Sequence, residues 1–444
     1  MDTYQINLVG LLGLCAALFL TQRSKTSPTQ DGSSKSKQDR PKSSASQSAF
    51  LVVYALVMGA DWLQGPFLYS LYTDEHGIPS SLVSTLFTSG FVSGAVSGSF
   101  VGSVADQRGR KAACMFFCIA YATSCLLTTL PRLPLLFVGR VLGGLSTSLL
   151  FSVFESWMVT DFHARGLAAQ GGDLGRTFGQ MSTINSVVAI LSGVGSEWLV
   201  SATGTRKAPF VTSAALLSAA LWVIWSQWDE NYGETGAAAS KTKGAAPKKP
   251  AENRVWSILS NPKVLSLGLA STMFEGSMYL FVFFWAPALK SVKSSSGELP
   301  YGIIFASFMA AMMASSLTFG AITEKRLLRY TSLLLAIMGT ATLCFFLLVR
   351  PNSEQPTFWI FCLFEATVGM YWPCMGYLKG RLIEDGIRAQ VYSILRVPLN
   401  LFVVLSLLVT GDGDAFGMVF TTCSTLLLAS TGALWATILT KDAP

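Results

Sequence analysis

The chain has 444 residues, 51% of them apolar types and only 13% charged, with a mean hydropathy of +0.48. A soluble protein carries roughly 25% charged residues, so a string of globular domains is excluded and a chain dissolved in lipid is expected. Two His, and eight Cys without a CxxC pair, leave no basis for a metal site, a redox centre or His-based acid–base chemistry, and the net charge of +7 must be read from its distribution.

A bilayer core of about 30 Å needs roughly 20 apolar residues in a helix. Thirteen stretches meet that need: 4–21, 50–72, 81–104, 112–130, 134–158, 178–200, 208–227, 263–287, 301–322, 327–349, 357–378, 389–410 and 415–440. Helices are expected because lipid cannot satisfy an open backbone and no alternating barrel pattern occurs. The first stretch leads into residues 22–49, which are too polar to fold. Arg23 and Lys25 follow the apolar run and no base precedes it, the reverse of a cleavable leader. An uncleaved anchor over 1–49 with Met1 outside is expected, with a cleaved leader as the alternative. The other twelve stretches form two sixes, 50–227 and 263–444. Residues 228–262 separate them and contain a flexible basic linker, GETGAAASKTKGAAPKKPAEN. With 22–49 and 228–262 in the cytoplasm, the inner segments hold 24 Lys and Arg and the outer ones 6. The positive charge is thus a matter of topology and implies no nucleic acid.

The two sixes repeat. Asp61 and Glu275 are mid-span and 214 positions apart. Gly102 and Asp106 end one helix in G-x-x-x-D, and Gly320 and Glu324 end another in G-x-x-x-E, 218 later. Arg176 and Arg388 are 212 apart. A stripe of Gly90, Gly94, Gly98 and Gly102 is matched by Ala306, Ala310, Ala314 and Thr318, each 216 later. Small stripes let helices pack closely, and a near-constant offset predicts two pseudo-symmetric six-helix halves of an alternating-access carrier. The expected fold is an all-α polytopic bundle of 12 core helices plus one N-terminal helix.

GSVADQRGRK (102–111) is read as a conformational switch. Gly102 permits a tight helix approach, Asp106 sets a carboxylate near a helix end, and Arg108, Arg110 and Lys111 are placed to pair across the gap. The string resembles the second-to-third-helix signature of the major facilitator superfamily. Arg140 with Gly144 in GRVLGG resembles that superfamily's fourth-helix pattern. ADWLQGPFLYSLY, GRVLGGLSTSLLFSVFESWM, FVFFWAPAL, GIIFASFMAA and LRVPLN, within residues 50–410, narrow the likeness. They resemble the molybdate-anion transporter family. The resemblance implies uptake of molybdate across the plasma membrane. It also implies a central cavity lined by the first, fourth, seventh and tenth core helices.

Glu197, at an outer helix end, reads as solvated, and six other charges in the expected spans call for a role: Asp61, Arg140, Glu155, Glu275, Glu365 and Arg396. Each costs on the order of 2.5–3.5 kcal/mol at the bilayer centre. Asp61, Glu275 and Glu365 are candidates for proton coupling or gating. The plainer reading gives them internal hydrogen bonds, for Asp61 to Gln64, Tyr69 or a neighbouring helix. Glu155 is expected to pair with a loop Arg. A guanidinium fork suits an oxyanion, and the expected spans hold no Lys beyond Lys263 at a boundary, so Arg396 and Arg140 are the candidate substrate contacts. Each has an ion pair as its plainer reading. Pro398 opens the helix beside Arg396. His76 and His163 read as solvated loop residues. There is no phosphate-binding loop, Ser-His-Asp set or HExxH, so no enzyme, cofactor or metal site is expected. The expected state is a monomeric carrier in membrane lipid, with molybdate as its substrate. A carrier for sulfate, another small anion or a neutral metabolite is the near alternative, and a non-transporting receptor or scaffold the distant one.

Overall fold

The computed structural model describes residues 2–23, 43–166, 174–233, 261–293, 298–382, 388–409 and 415–439. Much of the expected linkers 22–49 and 228–262, and the side chains of Arg176 and Arg388, lie outside the described residues.

The described chain is helical throughout. Its main elements are α1 (Thr3–Arg23), α2 (Ser43–Gln64), α3 (Ser80–Gly98), α4 (Val101–Arg108), α5 (Arg110–Thr128), α6 (Leu133–Leu150), α7 (Val153–Ala164), α8 (Leu174–Thr203) and α9 (Ala208–Gln227). They continue with α10 (Pro262–Ser291), α11 (Tyr301–Glu324), α12 (Tyr330–Leu348), α13 (Glu354–Leu382), α14 (Arg388–Val409) and α15 (Phe416–Leu434). Among the described residues, eleven helical segments are long and apolar enough to cross a membrane. The two expected stretches outside that set are α3 and α14. In α3, Ser, Thr and Gly displace large apolar residues. In α14 only Ile394–Val409 is apolar, because its first turns are polar and Arg396 interrupts it. Two expected spans are jointed. A turn at Ser99–Phe100 separates α3 from α4, and one at Phe151–Ser152 separates α6 from α7. α13 runs to Leu382, four residues past the expected boundary at 378, and carries Lys379 inside the span.

The chain forms two compact units. One contains Met1–Gln22, Ile78–Thr88 and Gly244–Pro444, the other Arg23–Gly77 and Ser89–Lys243. We call them the Glu275 unit and the Asp61 unit. In the Asp61 unit, α2 packs on α8 and α9, and α5 packs on α6 and α9. In the Glu275 unit, α10 packs on α14 and α15, and α12 packs on α13 and α15. The neighbour scheme of one unit recurs in the other. So does a backbone crossing that only glycine allows. A Cβ on Gly144 of α6 would lie 2.2 Å from the Gly90 carbonyl oxygen of α3. A Cβ on Gly369 of α13 would lie 2.2 Å from the Met312 carbonyl oxygen of α11. Gly102 differs from expectation, because a Cβ there meets nothing within 4 Å. Its helix, α4, has already turned away from α3 at Phe100.

The N-terminal helix has a berth of its own. Tyr4 donates to Glu354 at 2.8 Å and stacks edge-on with Phe358 at 5.1 Å. Asn7 donates to Gln355 at 3.0 Å, and the Cys15 thiol donates to the Ala310 carbonyl at 3.2 Å. Helix α1 therefore docks on α11 and α13, with Tyr4, Leu8, Leu11 and Cys15 as its buried face.

Candidate substrate and coupling sites

In the Asp61 unit, Asp61 sits at the midpoint of the span Gln47–Glu75, one turn before a break made by Gly65, Pro66 and Phe67. Pro66 lacks the N–H that a continuous helix would need. The Asp61 carboxylate accepts from the Tyr121 hydroxyl of α5 at 2.5 Å. The partner is thus on a neighbouring helix, and the Gln64 amide donates to the Ala60 carbonyl. Arg140 of α6 is partly buried, its guanidinium against Gly90, where a Cβ would stand 2.8 Å from Nη2. Its charge reaches the Tyr72 and Tyr121 hydroxyls. Tyr121 thus lies between the acid and the base.

In the Glu275 unit, Glu275 is buried near the middle of α10. One of its oxygens, Oε1, accepts from Ser271 at 2.6 Å and from Tyr371 of α13 at 2.9 Å. Lys379 Nζ lies 3.6 Å from the same oxygen and donates to Ser271 at 2.6 Å. Pro373, between Tyr371 and Lys379, leaves the Gly369 carbonyl without its helical donor, so α13 can bend there. Arg396 of α14 is exposed, and its charge reaches Tyr279 and Lys379. α14 approaches α10 at Gly268 and Gly276, where Cβ atoms would meet Leu395 at 2.6 Å and Phe402 at 2.4 Å. Those two glycines set Arg396 beside the Glu275 cluster. Glu365 is buried deeper along α13, and among the described residues its carboxylate has no hydrogen bond or ion pair.

The structure brings the switch motif together with a segment that sequence reasoning passed over. Arg110 bonds Asp106 at 2.7 Å, the Ser156 carbonyl at 3.2 Å and the Thr160 hydroxyl of α7. Gly109 turns with φ +114°, and a Cβ there would collide with the Glu230 carboxylate. That carboxylate accepts from the N–H groups of Lys111 at 2.7 Å and Ala112 at 3.1 Å, capping the start of α5. Lys111 Nζ reaches the Trp228 carbonyl at 2.6 Å, and the Gly233 N–H donates to the Asp106 carbonyl at 3.0 Å. The indoles of Trp157 and Trp228 stack 3.7 Å apart. Residues 228–233 thus form a clasp over the motif. Beside it, Arg165 bonds Asp161 and Asp229 at 2.8 Å each, and the Asp161 bond leads in raising its pKa. The expected Glu155 ion pair is absent among the described residues; Glu155 is exposed. His76 is tied down, its Nε2 lying 3.0 Å from the Thr128 carbonyl.

Lys379 escaped sequence reasoning because it lies one residue past an apolar stretch, where a Lys reads as a loop residue. Its long stem lets the ammonium reach back into the bundle. Glu230 escaped because it sits at the head of a polar linker.

The family model described as "Sugar-tranasporters, 12 TM" matches residues 3–358. A Takifugu rubripes protein named molybdate-anion transporter is 32% identical, over 95% of this chain and 92% of its own length. A Xenopus tropicalis protein of the same name is 33% identical, over 92% of this chain and 87% of its own length. The chain belongs to the molybdate-anion transporter family of the major facilitator superfamily. Family membership and eleven candidate spans make it a multi-pass integral membrane protein and not an enzyme. The POT family transporter PepTSo superposes with a TM-score of 0.70 at 10% identity, covering 90% of this chain and 99% of its own. The nucleoside transporter NupG gives 0.65 at 12% identity, covering 88% and 98%. These likenesses show the facilitator fold.

Proposed function

We propose that this chain takes molybdate into the cell across the plasma membrane by alternating access, as a secondary active carrier working as a monomer in membrane lipid. The observation that carries this reading is the pair of relatives named molybdate-anion transporter, 32% and 33% identical over more than nine-tenths of the chain. The working parts are two pseudo-symmetric halves, 50–227 and 263–444, joined by the cytoplasmic residues 228–262, with 1–49 as an uncleaved anchor. The repeated neighbour scheme and the matched glycine crossings support two halves. Arg396 contacts the anion, because it is exposed beside a second cation. Arg140 is the weaker candidate, held against Gly90 near two tyrosines. Asp61, Glu275 and Glu365 are the acids that couple or gate. Gly102, Asp106, Gly109, Arg110 and Lys111 form the switch, in which the Asp106–Arg110 pair holds one end closed.

A neutral solute is the second reading, favoured by the wording of the matching family description. Proteoliposomes separate the two. Labelled molybdate should enter, and unlabelled molybdate and sulfate should compete while sugars and nucleosides do not. Asp106→Asn should lower the rate more than the affinity, and protease should reach 228–262 only from the inner face. Sugar uptake without molybdate uptake would reject the proposal.

A further inference from the structure

The donors gathered on Glu275 are those that an oxyanion needs. Ser271 and Tyr371 point hydroxyls at a single carboxylate oxygen, and the Lys379 ammonium stands against the same atom. The set is enclosed: the Lys379 side chain is 15% exposed and that of Glu275 6%. A lone carboxylate in a membrane span calls for one counter-charge, not for two hydroxyls and a Lys converging on it with an Arg close enough to act on that Lys. The charged and titratable groups facing it are Tyr279 on its own helix, Tyr371 and Lys379 on α13, and Arg396 on α14. Among them are two cations and a single acid. Tetrahedral oxyanions are bound by cationic and hydroxyl donors of this kind.

We infer that Lys379, Ser271 and Tyr371 are the anion-binding donors of this carrier, and that the Glu275 carboxylate occupies them as a built-in competitor until the substrate displaces it. The inference rests on the anion-carrier reading and names the site within it. Lys379 is the main cation, and Arg396 supplies the second charge at the open side. Loading moves three donors from one carboxylate oxygen to the incoming oxyanion. Because the carboxylate competes for the same donors, removing its charge frees them for the anion.

The test is equilibrium binding of radiolabelled molybdate to the purified full chain in detergent. Glu275→Gln weakens the competitor and should bind molybdate more tightly than wild type. Lys379→Gln leaves Glu275 buried without its cation and can fail to fold. The double variant Lys379→Gln/Glu275→Gln restores charge balance and keeps the proposal falsifiable. It should elute and melt like wild type yet bind about tenfold more weakly or worse, the loss expected of a charged hydrogen bond. Wild-type affinity in the double variant, or no gain in affinity in Glu275→Gln, would overturn the assignment. A wild-type chain that binds neither molybdate nor sulfate would overturn the anion-carrier reading along with it.

Discussion

Arg140 and Arg396 look alike in the sequence, each an isolated guanidinium in an apolar run, and the structure separates them. Arg140 fills a notch that exists because residue 90 has no Cβ. Arg396 is exposed beside Lys379. Substitution at Arg396 should therefore act on the substrate, with molybdate affinity falling from wild type to Arg396→Lys to Arg396→Ala. Lys keeps the charge without the fork, and Ala keeps neither. Competition binding measures the order, and unchanged affinity in Arg396→Ala would make the residue structural. The acids were legible as polar letters in apolar text. Their partners were not, because Tyr121 and Tyr371 read as apolar filling until a hydroxyl is seen on Asp61 or Glu275. Glu365 was equally legible, yet nothing in its surroundings in sequence foretold a buried carboxylate without a hydrogen bond or ion pair among the described residues.

Among the helices, glycine does two different jobs under one pattern. The stripe of Gly90, Gly94, Gly98 and Gly102 is regular in sequence, but the contacts along it are not. Gly144 and Gly369, outside the stripe, are the residues whose absent Cβ lets backbones touch. Gly144→Ala and Gly369→Ala should each destabilise by about 1–3 kcal/mol, since the obstacle is backbone and cannot swing aside. Gly102→Ala should leave the melting temperature in detergent unchanged or slightly raised, because the position is open and helical. Equal losses at all three would contradict the crossing. Periodicity located the helices but not their joints. The turns at Ser99–Phe100 and Phe151–Ser152 contain neither Gly nor Pro, so no local breaker announced them. The clasp at 228–233 was hidden for a different reason: it is polar, and its fit depends on N–H groups at the start of α5, which no residue pattern displays.

At the scale of the whole molecule, the doubling of the chain was legible, because residues 212–218 apart carry the same chemistry and the helix neighbours recur accordingly. The berth of α1 was not, since its contacts join opposite ends of the chain. The Tyr4–Glu354 bond closes a separation of 350 positions. A ribosome adds about 5–20 residues each second, so α1 is complete for tens of seconds before α13 exists. During that interval it lacks the helix it will lie against, and its docking belongs among the late events of assembly. Chains ended before residue 354 should therefore still insert α1, as mapping of the N-terminus would read, and cysteines introduced at 7 and 355 should form a disulfide in the full-length chain. In the full-length protein, Tyr4→Phe should lower stability by about 0.6 kcal/mol, the average of an interhelical hydrogen bond in a membrane, without altering insertion. A stability loss that appears already in the truncated chain would mean that α1 is held by something nearer in sequence. A helix translated near the start of the chain is thus housed near the end of assembly, and errors in the last third of the chain leave it stranded in the bilayer.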